Sequence, residues 1–184
     1  KTSLVFSETF SKLSGSKDFL KNEFEQKTGS FKLRGAYYKI KSLSNDEKKK
    51  GVIAASAGNH AQGVAYASSL ENIECTIVMP NNASPAKVSA TRNYGANVIL
   101  YGKNYDESSL KVQEIAKETG AIIIHAFDDP YIIAAQGVIG LEIINDLSDV
   151  DEVYVPIGGG GLISGILIAI KTKNPNVRVI GVES

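Results

Sequence analysis

The sequence has little of several features that mark common classes of protein. Its only cysteine is Cys75, so no disulfide can form within the chain, and we expect a reducing, cytoplasmic location. Its 20 basic and 20 acidic side chains leave no formal net charge, which argues against nucleic acid or an acidic membrane surface as the main partner. No apolar run approaches the length of a membrane span, so we expect no membrane insertion.

Metal ligands are also scarce. The two histidines, His60 and His125, lie far apart in the sequence, and a single cysteine cannot complete a structural zinc site, so we expect no metal. His125 ends an apolar run and is interpreted as a packed or hydrogen-bonded side chain. Cys75 lies inside the apolar run Cys75–Met79, which indicates a core residue, because a nucleophilic thiol needs an electropositive setting.

Apolar runs of strand length alternate with helix-length segments along the chain. Several runs, such as Ala121–Ile124, are solid apolar blocks, which are typical of strands covered on both faces. Asp129 followed by Pro130 predicts a capped helix start, and the charges of 46–50 predict a short surface helix. The alternation predicts an α/β fold with a largely parallel sheet, whose ligands bind at the carboxyl ends of strands. The predicted strands are 18–22, 51–55, 74–79, 97–101, 121–125, 152–156 and 177–182, and the other predicted helices are about 33–43, 59–70, 85–94, 106–118, 130–146 and 161–172.

The first loop of chemical interest runs from Thr28 to Gly35 and contains Ser30-Phe31-Lys32. Lys32 falls in the first turn of a predicted helix, where the helix dipole disfavours a cation. An amine there should have a lowered pKa, which favours the neutral nucleophile that forms an imine. An ordinary solvated lysine is an equally good interpretation of this loop when it is taken alone.

The second loop, Ser56-Ala57-Gly58-Asn59-His60, follows the predicted strand 51–55 and opens a helix. Its small residues would let a ligand approach the backbone closely, and free N–H groups at a helix start bind carboxylate or phosphate. The simpler alternative is a helix cap made by Ser56 or Asn59.

The third loop contains four consecutive glycines, Gly158–Gly161, followed by Leu162. Such a run is costly in chain entropy, and a short turn needs only one or two glycines. The excess predicts backbone amides wrapped round an anion, most simply a phosphate. The loop lacks the Gly-Lys-Ser/Thr ending of a P-loop, and Ile163 or Ser164 stands where a dinucleotide fingerprint needs its last glycine, which weakens a dinucleotide site.

Together and in this order, the three loops resemble those of the threonine/serine dehydratases, in the tryptophan-synthase-β-like class of pyridoxal phosphate enzymes (fold type II). The resemblance runs from about Asp18 to Ser184 and includes Gln136-Gly137 and Gly140–Ile143. It implies the two-lobed, open parallel-sheet α/β architecture of that class. Residues 46–130 would form a small substrate-binding lobe, and residues 1–45 and 131–184 the cofactor lobe. Family members continue beyond the end of this chain, so we expect its C-terminal part to be missing, with the partner of the pyridine nitrogen and the cation site.

The same resemblance implies a role for each loop. Lys32 would hold pyridoxal 5′-phosphate as a Schiff base, with Phe31 against its ring and Asn59 donating to its phenolic oxygen. The phosphate would be held by Gly158, Gly159, Gly160, Gly161 and Leu162. The substrate carboxylate would be bound by Ser56, Ala57, Gly58, Asn59 and His60.

Details within the motifs separate the reactions of the class. Sulfhydrylases and threonine synthases typically have aspartate where this chain has Arg34. Serine racemases typically have a serine, which serves as a second acid or base, where this chain has Ala57. The resemblance therefore implies β-elimination from L-threonine or L-serine to a 2-oxo acid and ammonia, by a homo-oligomeric enzyme. Two alternatives stay open, namely a serine racemase on the same scaffold and a non-catalytic ligand-binding fragment that is inactive alone.

Overall fold

A computed structural model describes residues 1–183 of the chain. Strands and helices alternate through most of it, as the sequence predicts. The strands are β1 (Leu4–Phe6), β2 (Phe19–Lys21), β3 (Val52–Ala55), β4 (Cys75–Met79), β5 (Asn97–Leu100), β6 (Ile122–Ile123), β7 (Glu152–Pro156) and β8 (Arg178–Val182). The helices are α1 (Glu8–Ser14), α2 (Lys32–Ser42), α3 (Asn45–Lys49), α4 (Asn59–Leu70), α5 (Pro85–Asn93), α6 (Tyr105–Thr119), α7 (Pro130–Asp146) and α8 (Gly161–Lys173), with one 3₁₀ turn at Glu23–Glu25.

Two parallel sheets carry the loops of interest. Four strands lie in the order β5-β4-β3-β6, and all of their pairings are parallel. The inner strand β3 is buried along its whole length, which agrees with its solid apolar sequence. β7 and β8 form a second parallel pair. The predicted α/β fold with parallel sheets is therefore confirmed, and the loops that follow β3 and β7 leave the carboxyl ends of their strands.

Close helix contacts fix the starts of α2 and α8. A Cβ atom on Gly63 of α4 would lie only 3.2 Å from the backbone nitrogen of Leu33, at the start of α2. Gly165 of α8 would place a Cβ atom 2.2 Å from the carbonyl oxygen of Ile133 in α7. A side chain at either position would push the helices apart, so these glycines set where two of the three loops end.

The core has one large cluster on the four-stranded sheet, a second one around β7, α7 and α8, and a small third one where α6 packs on β3 and β4. α2 contributes Ala36 and Ile40 to the first cluster, as does Leu43 just after it, while Phe31, just before α2, packs against the second. Cys75 is buried in the first cluster, and burial raises the pKa of its thiol to about 11. This confirms Cys75 as a core residue.

The N-terminal region differs from the prediction. A single strand was expected at 18–22, whereas the structure has an antiparallel pair of β1 and β2 joined through α1. No residue of α1 is buried, so this helix has no apolar face that could be recognised as a period in the sequence.

No helix within residues 1–183 has the length and apolar character that crossing a membrane requires.

Candidate active site

Lys32 is the first residue of α2, and no acidic side chain occupies the first turn of that helix. Its side chain is partly buried, and Nζ donates a hydrogen bond to the carbonyl oxygen of Ala126 at 2.7 Å. Within residues 1–183, no carboxylate lies within 4.0 Å of this amine. Burial lowers the pKa of Lys32. The arrangement favours a neutral amine at the start of the helix, which is the form that attacks a carbonyl.

Phe31 precedes Lys32 and covers one side of it. The centre of the Phe31 ring lies 5.2 Å from Lys32 Nζ. Because the ring also packs against the cluster of β7 and α8, it joins the lysine to the part of the fold that carries the glycine loop.

The second loop leaves the buried strand β3 and becomes partly exposed at Ser56, Ala57 and Gly58. The expectation that Ser56 or Asn59 caps α4 is wrong, because Gly58 is the N-cap residue and no side chain caps the helix. Ser56 Oγ instead accepts from the backbone N–H of Gly58 at 3.1 Å, which folds the loop on itself. Asn59 is exposed, so its amide is accessible at the loop surface.

His60 has a different environment from the rest of its loop. Its ring is buried, and Nε2 lies 2.9 Å from the carbonyl oxygen of Ile124. Burial, with smaller contributions from the charges of Lys32 and His125, lowers the pKa of His60 to about 4 despite the opposing hydrogen bond to Ile124. The neutral ring therefore donates through Nε2 to Ile124. Within residues 1–183, no hydrogen bond joins Ala57 or Asn59 to the other two loops.

The glycine loop is shaped by Phe127. A Cβ atom at Gly159 would lie 2.3 Å from the Phe127 ring, and one at Gly161 would lie 2.6 Å from the Phe127 carbonyl oxygen. Gly160 has φ of +85°, a conformation that side chains rarely adopt, and it is the N-cap residue of α8. Only glycine therefore fits at these three positions.

The backbone amides of this loop are available to a ligand. Gly158 and Gly159 are exposed, and space is open beside the Cα atoms of Gly158 and Gly160. In the part of the chain from 1 to 183, the N–H groups of Gly158, Gly159 and Gly160 have no hydrogen-bond acceptor. Free amides at the N-terminus of α8 are a favourable site for a phosphate.

A fourth segment, Ile124–Asp128, connects the three predicted loops, and sequence reasoning missed it. It receives the hydrogen bonds of Lys32 and His60, and Phe127 packs against the glycine loop. His125 Nδ1 accepts from the backbone N–H groups of Phe127 at 3.3 Å and Asp128 at 2.8 Å. The interpretation of His125 as a hydrogen-bonded histidine is thus confirmed. Asp129 caps α7 by accepting from Tyr131 N at 2.8 Å, which confirms the predicted helix start.

Arg34, two residues after Lys32, belongs to a buried ionic network. Its guanidinium donates to both carboxylate oxygens of Glu23 and to both of Glu142, at 2.7–2.9 Å. Lys21 Nζ adds a contact to Glu142 at 2.6 Å, and the four side chains are between 9% and 15% exposed. The network ties β2, the 3₁₀ turn and α7 to the start of α2.

These residues fit pyridoxal phosphate. The cofactor needs an amine for its aldehyde, a flat apolar contact for its ring and an anion site for its phosphate. Lys32, Phe31 and the open amides of Gly158–Gly160 provide these three features. The contacts through Ile124–Asp128 hold the amine and the anion site in one structure.

Comparisons with known proteins agree with this geometry. The chain is 55% identical over 184 residues to an L-threonine ammonia-lyase of Thermotoga maritima, covering 100% of this chain and 46% of the relative. It superposes on the processed form of threonine deaminase isoform 2 from Solanum lycopersicum with a TM-score of 0.96 and 45% identity, covering 99% of this chain and 53% of that one. A maize serine racemase gives a TM-score of 0.95 and 38% identity, with 98% and 55% covered.

The chain spans about half the length of these relatives. The family model that matches it describes a pyridoxal-phosphate dependent enzyme and covers residues 1–184. The match includes the lysine loop, the Ser-Ala-Gly-Asn-His loop and the glycine loop. The chain therefore belongs to the family of pyridoxal-phosphate dependent enzymes, with the α/β fold of its tryptophan-synthase-β-like members.

Proposed function

We propose that the full-length protein uses pyridoxal phosphate to convert L-threonine, and L-serine, to a 2-oxo acid and ammonia by eliminating the β-hydroxyl. The environment of Lys32 carries this proposal, because a partly buried amine with a lowered pKa contacts only a carbonyl oxygen among the polar atoms of residues 1–183. The names of the Thermotoga maritima and tomato relatives support threonine as substrate.

The reaction follows from what the cofactor and Lys32 can each do. When bound, pyridoxal phosphate supplies an electron sink that stabilises negative charge at the α-carbon of an amino acid. Lys32, as a neutral amine, removes the α-proton and holds it at Nζ. The β-hydroxyl takes up the proton held at Lys32 Nζ and leaves as water. One water molecule then adds to the unsaturated amine that remains and releases ammonia. L-threonine thus gives 2-oxobutanoate and ammonia.

The binding residues are assigned in the same proposal. The amides of Gly158–Gly161, with Leu162, hold the phosphate, Phe31 lies against the ring and Asn59 donates to the phenolic oxygen. The Ser56–His60 loop receives the substrate carboxylate. Since the ring of His60 is engaged with Ile124, we assign the contribution of His60 to its backbone. Residues 46–130 would form the substrate lobe, and the rest of the chain would belong to the cofactor lobe.

Racemisation on the same scaffold is the second candidate, and the likeness to the maize serine racemase supports considering it. Racemisation needs a group that returns a proton to the face opposite the one that lost it. Ala57 has no ionisable proton and stands where the racemases typically have serine. We therefore favour elimination. Formation of D-serine from L-serine, at a rate equal to that of 2-oxo acid formation, would favour the racemase instead.

The test compares Lys32→Ala with Lys41→Ala in the full-length protein. Both lysines lie on α2, but Lys41 is an exposed partner of Glu71. After borohydride reduction with pyridoxal phosphate, mass spectrometry should find the cofactor on Lys32 in wild-type protein and in Lys41→Ala. Lys32→Ala should lose this attachment. Its rate of 2-oxobutanoate formation should fall by roughly 10²–10⁴-fold or more. Attachment at another lysine, or threonine turnover that survives in Lys32→Ala, would refute the proposal.

The remaining expectations belong to the same proposal. A threonine-degrading enzyme with one buried cysteine suits the reducing cytoplasm. We also propose a homo-oligomer, which sedimentation of the full-length protein would test.

A further inference from the structure

We propose that His125 is a positioning residue that holds both the amine of Lys32 and the glycine loop in place for the cofactor. This inference rests on the proposed function, because it concerns the same site. It starts from the Ile124–Asp128 segment, which contains none of the residues that the family motifs identify. Three separate parts of the site contact this short segment.

The contacts come from different elements. Lys32 at the start of α2 donates to the carbonyl oxygen of Ala126 at 2.7 Å. His60 at the start of α4 donates to the carbonyl oxygen of Ile124 at 2.9 Å. The Phe127 ring occupies the space where a Cβ atom of Gly159 would lie, at 2.3 Å. A change in the path of this segment would therefore move the lysine partner and the anion site together.

His125 determines that path. The segment follows β6 and has no regular secondary structure, so its own backbone pairing does not define it after Ile124. His125 Nδ1 accepts two backbone hydrogen bonds, from Phe127 at 3.3 Å and Asp128 at 2.8 Å. Its ring also lies edge-on to Phe127, with 4.8 Å between ring centres. One side chain thus turns the backbone that presents both the Ala126 carbonyl and Phe127.

If His125 acts in this way, the path of the segment depends on where the acceptor atom of residue 125 lies, and a polar group at another place cannot replace it. Asparagine places its Oδ1 where histidine has Nδ1, and the same residue commonly accepts from backbone N–H groups two and three residues ahead. Glutamine has the same amide one carbon farther out, near the place of Nε2. His125→Asn and His125→Gln are therefore a matched pair that differs in where the acceptor lies.

The experiment titrates the apo form of each full-length variant with pyridoxal phosphate and follows absorbance. We expect the dissociation constant of His125→Gln to rise roughly tenfold, the loss expected for misplaced hydrogen bonds that orient a site. His125→Asn should stay within about twofold of wild type. Circular dichroism of each apo variant establishes that it is folded.

Two results would overturn the inference: equal affinity of the two folded variants, or wild-type affinity in His125→Gln. If His125→Gln does not fold, His125→Asn must still bind like the wild type, and a tenfold weaker constant for it would overturn the inference. Because the readout is cofactor binding, failure of the proposed threonine reaction appears separately, as wild-type protein that binds pyridoxal phosphate without forming 2-oxobutanoate.

Discussion

Lys32 and Arg34 stand two residues apart on α2 and carry the same formal charge, yet their surroundings are opposite. Burial lowers the pKa of Lys32, whose amine contacts one carbonyl oxygen. Burial acts in the same direction on Arg34, but hydrogen bonds to Glu23 and Glu142 outweigh it and raise the pKa of the guanidinium. The fold thus pairs the Arg34 cation with two carboxylates, whereas Lys32 has no acidic partner among residues 1–183.

The difference distinguishes a charge that stabilises the structure from one that is available for chemistry. A paired guanidinium stays charged and holds three elements together, whereas an amine in a weakly polar setting can lose its proton and attack. A cation at a helix start is unfavourable in both cases. The Arg34 network removes that cost with carboxylates, and Lys32 keeps it. A change at Arg34 should therefore lower stability more than it affects cofactor attachment, and a change at Lys32 should do the reverse.

The largest expected effect is that of Arg34→Leu. This change removes the guanidinium from two largely buried carboxylates: Glu142 keeps Lys21, and Glu23 keeps only neutral hydrogen-bond donors, on Thr2 and Gln26. The free energy of unfolding should therefore fall by about 3–5 kcal/mol. Urea unfolding of the apo protein at pH 7 measures it. Lys41→Ala, on the exposed end of the same helix, serves as the control and should leave the free energy of unfolding close to that of the wild type. A loss below about 1 kcal/mol for Arg34→Leu would show that the network is not structural.

Acid should lower the stability of the protein by protonating a carboxylate of the Arg34 network. Burial works to raise the pKa of Glu142, but hydrogen bonds from Arg34 and Lys21 outweigh it and lower the pKa to about 2, from an ordinary 4.5. Because the pKa is lower in the folded state, the ionised Glu142 stabilises the fold fully above pH 4.5, and this stabilisation is lost as the pH falls towards 2. The loss in the free energy of unfolding should be on the order of 3 kcal/mol.

Unfolding measured between pH 7 and pH 3 tests this effect, with Glu142→Gln as the comparison. The variant should be less stable at pH 7, and its stability should depend less on pH below 4.5. Lys32→Met should keep the wild-type pH dependence in this range. Parallel curves for the wild type and Glu142→Gln would exclude Glu142 as the source of acid sensitivity.

Arg34→Lys should have a smaller effect. Lysine keeps the charge but cannot make the paired hydrogen bonds to two carboxylates, so we expect a loss of about 1–2 kcal/mol. Comparing the urea midpoint with that of Arg34→Leu separates the contribution of charge from that of geometry. Equal losses in the two variants would mean that geometry alone matters.

Among the changes at positions 32 and 34, Lys32→Met should have the smallest effect on stability, and it should abolish covalent attachment of the cofactor. Methionine fills a similar volume and removes a partly buried amine that has no acid partner within residues 1–183, so apo stability should change by less than about 1 kcal/mol, in the stabilising direction. Thermal unfolding of the apo form measures it. A destabilisation as large as that of Arg34→Leu would remove the contrast between the two positions.

Much of the fold could be predicted because many helices and strands have clear local signals in the sequence. The segment 59–70 was predicted as a helix and is α4, and Asp129 with Pro130 marks the start of α7. The short elements β1 and α1 could not be predicted, because they have three and seven residues and bury almost nothing. Strand β6 is shorter than predicted, since only Ile122 and Ile123 pair with β3.

The site was predictable where a loop has unusual composition. The four glycines and the misplaced Lys32 are visible in the sequence, and the Ser-Ala-Gly-Asn-His loop is identified by resemblance. The buried position of His60 was not visible, nor was the role of Ile124–Asp128, because both depend on contacts between distant parts of the chain. The local signal was the pair of His125 and Phe127, two residues apart, and its meaning depends on the contact between Phe127 and Gly159.

The partner of Lys32 is a peptide oxygen, and this has a consequence for how the site tolerates mutation. Every residue has a carbonyl group, so no single substitution at Ala126 can delete the atom that receives the amine. The side chain at position 126 can therefore change without loss of the hydrogen bond to Lys32, as long as the backbone keeps its path. A carboxylate partner, in contrast, could be lost through a single substitution of its residue.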